Sequence, residues 1–145
     1  MIAGLGLYMS KLRLAAAALL VSGVLIADAD ARVVVHVSKS RQMMYVYVDV
    51  VLVREWPVST ARGGYSTPSG VFHPTGLDPY HRSSKYHNSP MPYSIFFRGG
   101  YAIHGSYEVS RLGRPASHGC IRLPLDYARH FYEAATEGTP VVVKE

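Results

Sequence analysis

The sequence predicts a mainly β domain closed by one helix near its C-terminus. Three observations carry this. Short runs rich in Val and Tyr alternate along most of the chain. Gly- and Pro-containing stretches punctuate them. One segment alone, Leu125 to Ala135, spaces Leu125, Ala128, Phe131, Tyr132 and Ala135 at helical intervals.

The first 31 of the 145 residues stand apart. Lys11 and Arg13 precede an apolar run from Leu14 to Ile26, and Ala27-Asp28-Ala29 and Ala29-Asp30-Ala31 each form a small-x-small site. This is the pattern of a secretory signal peptide, with an uncleaved N-terminal anchor as the alternative. The expected organisation is therefore a signal over residues 1–31 and one domain over 32–145, exported to the periplasm or cell wall.

Strands are expected at Arg32–Ser38, Met43–Val48 and Val51–Val58, the last two forming a hairpin. Val50 at its turn disfavours positive φ, so the expected turn is longer or irregular rather than type I′. Ser59–Gly70 reads as a loop leading into a short strand, Val71–Thr75. Gly76–Pro92 reads as one long loop, a candidate lid walled by Tyr80, Tyr86, His87 and Tyr93. Strands follow at Ser94–Arg98 and Tyr101–His104 around Gly99-Gly100. After a Gly/Pro loop and the helix, with Pro124 near its first turn and Gly138 at its end, Thr139–Val143 closes the domain as a strand.

The net charge of +5 is unchanged when residues 1–31 are removed. A basic exported domain suits an anionic partner such as cell wall or membrane surface. Without Lys/Arg runs, nothing points to nucleic acid. The single cysteine, Cys120, excludes an internal disulfide, and a thiol kept in an oxidising compartment suggests a thiol in use.

Cys120 sits in Ser117-His118-Gly119-Cys120-Ile121-Arg122, with a second His-Gly pair, His104-Gly105, upstream. A thiol attacks well as a thiolate, so its pKa is expected to fall near an imidazole or a cation. His104 and His118 both qualify from the residues alone. Gly119 permits a turn whose N–H groups could hold an oxyanion, and Arg122 suits a substrate carboxylate or steadies the loop. Papain-type peptidases place Cys before His, whereas here only His130 follows Cys120, on the helix. The metal-hydrolase alternative would draw on His73, His81, His87, His104 or His118, but no His-Glu-x-x-His or similar ligand spacing occurs. A binding module that keeps the fold and not the reaction is the other alternative.

These residues resemble the L,D-transpeptidase catalytic domain of the YkuD family. Its signature is His-Gly, roughly fifteen residues, then Ser/Thr-His-Gly-Cys, an apolar residue and Arg or Asn. His104-Gly105 and Ser117 to Arg122 match in type, order and spacing. Thr67-Pro68-Ser69-Gly70-Val71-Phe72, Met91-Pro92-Tyr93 and Val58-Ser59-Thr60 fit the surrounding pattern, while Ala61 and Val50 replace common glycines. The resemblance implies a mixed-sheet sandwich or barrel with a loop-roofed cleft. It implies that Cys120 forms a thioester at the L-centre of the third residue of a peptidoglycan stem peptide and passes it to an amine, giving a 3→3 cross-link. It implies His104 as base, the Gly105 carbonyl orienting it, Gly119 and Cys120 N–H groups on the oxyanion, and Ser117 and His118 shaping the pocket. Arg122, Ser117, Tyr93 and Tyr86 are the expected substrate-binding residues. The same nucleophile could pass the acyl group to water, as an L,D-carboxypeptidase, or to a wall-attached lipoprotein. No metal or cofactor is called for, a monomer is expected, and carbapenems acylate this cysteine in many members of the family.

Overall fold

The computed structural model describes residues 31–145, so the export-signal reading falls outside the described residues. The strands form two mixed sheets, the valine and tyrosine runs falling in the first. Strands β1 (Val33–Ser38), β2 (Met43–Val48), β3 (Val51–Pro57), β4 (Gly70–Phe72) and β9 (Val141–Lys144) make a five-stranded sheet in the order β3-β2-β1-β9-β4. Strands β5 (Gly76–Asp78), β6 (Ser94–Arg98), β7 (Tyr101–Ser106) and β8 (Ile121–Pro124) make a four-stranded sheet in sequential order. The neighbours β1 and β9 run parallel, as do β7 and β8; the other pairs are antiparallel.

Alternation puts every second side chain of each sheet into one core. Val35, Val37, Met44, Val46, Trp56, Val141 and Val143 come from the first sheet, and Ile95, Phe97, Ile103, Ile121 and Leu123 from the second. Helix α1 (Leu125–Ala134) follows β8 directly. Pro124, which donates no N–H, occupies the cap position just ahead of it. Ala128 and Phe131 are the helix's buried side chains, and Tyr127 stacks on Trp56 with ring centroids 5.3 Å apart. Among the described residues, nineteen buried apolar side chains supply the hydrophobic stabilisation, each of the larger ones contributing about 1.5–3 kcal/mol.

Three local expectations fail. The β2–β3 turn is a tight two-residue turn, because Val48 pairs with Val51 and both Asp49 (φ 48°) and Val50 (φ 68°) are left-handed. The ladder on one side and the bonds joining Asp49 to Arg32 on the other outweigh the local cost at Val50. Gly76–Pro92 is not loop throughout. Its first three residues form β5, whose pairing to β6 gives the segment an order its own composition does not encode. The strand expected over Val71–Thr75 spans Gly70–Phe72, where it pairs with β9.

Candidate active site

The parallel seam between β7 and β8 sets the site. Ile103 pairs with Ile121 and His104 with Arg122. Successive side chains point to opposite faces, so Ile103, Ile121 and Leu123 enter the core while His104 and Arg122 share the other face. Cys120, one residue ahead of β8, falls on the face of Arg122 and diagonal to His104. Cys120, His104, His118, Ser117 and Arg122 all line one cleft of about 430 Å³, walled also by Tyr86, Met91, Tyr101 and Glu108.

His104 is buried, and its Nδ1 lies 2.7 Å from the Gly105 carbonyl oxygen. A carbonyl only accepts, so Nδ1 carries the proton and Nε2 is the lone-pair nitrogen. Burial, with Arg122 and His81 adding repulsion, lowers the His104 pKa to about 4, against the opposing pull of the Gly105 carbonyl. The imidazole is neutral at pH 7. Gly105 also lets α1 approach: an added Cβ would meet Leu125 Cδ1 at 3.1 Å, Ala128 Cβ at 3.2 Å and Pro92 Cγ at 3.3 Å. Its N–H donates to the Pro92 carbonyl, tying the end of the long loop to the His-Gly pair.

Cys120 is half-buried, with Sγ 3.7 Å from the Gly100 carbonyl oxygen. Burial pushes its pKa up, while the Ala102 N–H and Arg122 pull it down in part. The sequence-based expectation of a depressed thiol pKa is thereby corrected: desolvation outweighs the nearby positive charge, and the resting form is the thiol.

The turn before Cys120 is built around Gly119 (φ 132°). A Cβ there would stand 2.6 Å from Tyr101 Cε1 and 3.0 Å from the Ser66 carbonyl oxygen. The Ser117 hydroxyl accepts from the Gly119 N–H at 3.0 Å, so that N–H is already engaged and is not free for an oxyanion. Buried Thr67 braces the turn from the other side. Its Oγ1 donates to the Gly119 carbonyl at 2.8 Å and accepts from the Ala61 N–H at 3.0 Å.

Arg122 Nη1 lies 2.9 Å from Glu108 Oε2, so its charge is partnered within the chain. His118 Nε2 lies 2.8 Å from Arg62 Nη2. A guanidinium only donates, so Nε2 is the acceptor and Nδ1 holds the ring proton. Burial first, then Arg62, Arg122 and Lys85, hold the His118 pKa below its usual value. Tyr86 stacks on this ring at 4.3 Å and 12°, and Tyr65 meets it edge-on at 4.6 Å.

Among the expected residues Tyr93 falls outside the cleft. Its backbone is left-handed (φ 56°), and its ring packs on Tyr132 at 5.8 Å beside the core. Tyr80 is exposed and His87 is exposed too, and neither lines the cleft. The remaining wall of the long loop is Ser83, Lys85, Tyr86, Ser89, Pro90 and Met91. Arg62, Tyr65 and Glu108 were not singled out from the sequence, and Thr67 entered only through a motif. Their roles depend on contacts across 14 to 56 positions, which no local pattern encodes. Among the described residues no three His, Cys, Asp or Glu side chains come together as metal ligands.

The model of the YkuD L,D-transpeptidase catalytic domain matches residues 32–143. Among solved structures, an L,D-transpeptidase from Mycobacterium tuberculosis H37Rv is 27% identical with a TM-score of 0.74, covering 79% of this chain and 58% of that one. One from Stackebrandtia nassauensis is 26% identical with a TM-score of 0.72, covering 82% of this chain and 58% of the other. One from Mycobacterium smegmatis, 23% identical over 79% of this chain and 59% of its own, has a TM-score of 0.74 and shows the likeness of fold. The chain thus spans under two thirds of the length of the structures it matches. No curated protein matches this sequence.

Proposed function

The chain belongs to the family of L,D-transpeptidase catalytic domains, and we propose that it carries out acyl transfer on peptidoglycan stem peptides through Cys120. The observation that carries the reading is the Nδ1–H bond from His104 to the Gly105 carbonyl. It leaves Nε2 as a proton acceptor in the cleft that also holds the thiol.

With neutral thiol and neutral imidazole at rest, the base works during attack rather than before it. Substrate binding brings the carbonyl of the third stem residue to Sγ. The thiol proton passes to His104 Nε2 as the S–C bond forms. The carbonyl oxygen takes the negative charge, and the Cys120 N–H is the donor assigned to it, since Ser117 holds the Gly119 N–H. Collapse breaks the amide C–N bond, and the imidazolium returns its proton to the departing D-alanine amine. The thioester is then attacked by an amine from a second stem. His104 takes the amine proton, the new C–N bond forms, the C–S bond breaks and the imidazolium returns its proton to the departing Cys120 sulfur, leaving the stems joined by a 3→3 cross-link. Arg122 acts through its neighbours: it disfavours protonation of His104 and, held by Glu108, steadies the loop beyond β7.

Export by residues 1–31 and action as a monomeric domain over 32–145 complete the proposal. The test is incubation with purified disaccharide-tetrapeptides followed by mass spectrometry. Cross-linked dimers with loss of D-alanine are expected. Tripeptides without dimers would assign water as the acceptor, and, in a parallel incubation with a wall lipoprotein added, an adduct on that lipoprotein would assign a protein amine. Unchanged tetrapeptides with folded protein would contradict acyl transfer altogether.

A further inference from the structure

Three segments meet on the His118 ring. Arg62 and Tyr65 come from the connection between β3 and β4, Lys85 and Tyr86 from the loop between β5 and β6, and His118 from the turn before Cys120. The Arg62 guanidinium donates to His118 Nε2 and also lies 5.2 Å from the centre of the Tyr65 ring. Tyr86 stacks flat on His118, Tyr65 closes its edge, and the Lys85 ammonium lies 5.5 Å from the centre of the Tyr86 ring. The charged and titratable groups around the ring are thus Arg62, Tyr65, Lys85, Tyr86 and, from β8, Arg122. Burial and then the three cations hold its pKa down, and the Arg62 N–H keeps Nε2 as an acceptor.

This Nε2 is engaged where that of His104 points into the cleft, and the difference suggests a different task. We propose that Arg62 is a positioning residue: by fixing the tautomer and orientation of His118 it provides the surface on which Tyr86 stacks, and so latches the Ser83–Met91 wall beside Cys120. The consequence for which acyl acceptors reach the thioester rests on the proposed acyl transfer. The latch itself does not.

Amide hydrogen exchange on the folded full-length protein tests it. The Ser89 N–H donates to the Tyr86 carbonyl and the Met91 N–H to the His81 carbonyl, so both report on this wall. In Arg62→Met their exchange is expected to rise about tenfold, with β7 unchanged, as for a local opening. Arg62→Lys, which can still donate to Nε2, is expected to restore most of the protection. Adding Tyr86→Leu to Arg62→Met is expected to give little beyond Tyr86→Leu alone, because both act through one ring. Alkylation of Cys120 by iodoacetamide should accelerate in both single variants, and with stem peptides the KM should rise while kcat holds. Unchanged exchange across 83–91 in Arg62→Met, or fully additive effects of the two substitutions, would overturn the latch. Should Arg62→Met not fold, Tyr86→Leu on the half-exposed loop must still show the loop-confined increase, and its absence has the same force. Exchange does not depend on substrate, so a latch seen without stem-peptide turnover would count against the proposed function and not against the latch.

Discussion

The two histidines of the cleft sit in contrasting surroundings. His104 belongs to a strand, is 6% exposed, and hydrogen-bonds within its own His-Gly pair. His118 belongs to a turn, is half-buried, and is held by Arg62, Tyr65 and Tyr86 from two other loops. One leaves Nε2 to the cleft; the other spends Nε2 on a guanidinium. Both are neutral, but for different purposes. In the proposed reaction, the strand seam of β7 and β8 holds the proton acceptor in the same cleft as the thiol to the accuracy of a sheet register. In the proposed latch, the loop layer arranges rings that shape access. A rigid element suits a group whose placement matters at the scale of a proton transfer, and a loop layer suits selection.

Removing the nucleophile tests the seam most severely. Cys120→Ala should abolish turnover and any acyl-enzyme mass, with the circular dichroism spectrum unchanged because only a half-buried sulfur is lost. Turnover surviving in this variant would move the chemistry out of the seam.

Acid pH should reveal the buried histidine. With the His104 pKa lowered to about 4, activity should persist through pH 5 and fall as pH drops through about 4, where the base is protonated. Stability follows the same linkage. The unfolded chain binds this proton from about pH 6.5 downward and the folded chain only near pH 4. The folded state is therefore fully favoured above 6.5 and loses roughly 3 kcal/mol as pH falls across that window. A pH-rate profile and thermal melts from pH 3 to 8 measure both. An acid limb at 6.5 would instead describe an exposed imidazole.

Gly119→Ala tests whether the turn is as crowded as it stands. A methyl 2.6 Å from Tyr101 Cε1 at φ 132° must displace a ring of the cleft, at a cost of about 1–3 kcal/mol. Urea unfolding should show this loss together with slower Cys120 acylation. Thr67→Val costs a similar amount but leaves the rings of the cleft in place. It leaves the Ala61 N–H and the Gly119 carbonyl without their shared partner, worth about 1–3 kcal/mol, and should lower stability more than it lowers activity. Equal stability to the parent would show that the brace is dispensable.

The same contrast explains what the sequence could be read for. The Val and Tyr runs of β1 and β2 alternate strongly enough to be found, the Gly99-Gly100 turn marks β6 and β7 on either side of it, and the helical spacing of Ala128 and Phe131 marks α1. β5 escaped because three residues, Gly76 to Asp78, carry no period and owe their strand to β6. Val50 was misjudged because propensity counted its local cost and not the bonds of Asp49 to Arg32 that impose the turn. In the site, Cys120, His104 and His118 stand in short motifs and were legible. Which histidine keeps a free nitrogen was not, since that turns on Arg62, 56 positions before His118. Tyr93 was placed in the cleft wall, but its ring packs on Tyr132 against the core, a contact 39 positions along the chain that no local pattern encodes.

The central claim is that the strand-held histidine serves the thiol and the loop-held one shapes access to it. The most direct measurement is the rate of Cys120 acylation by a carbapenem, followed by intact-protein mass in His104→Ala and His118→Ala side by side. His104→Ala is expected to slow acylation by about 10²–10⁴-fold, the usual loss on removing a positioned base, while His118→Ala costs far less. Near-parental acylation in His104→Ala with acylation lost in His118→Ala would contradict it.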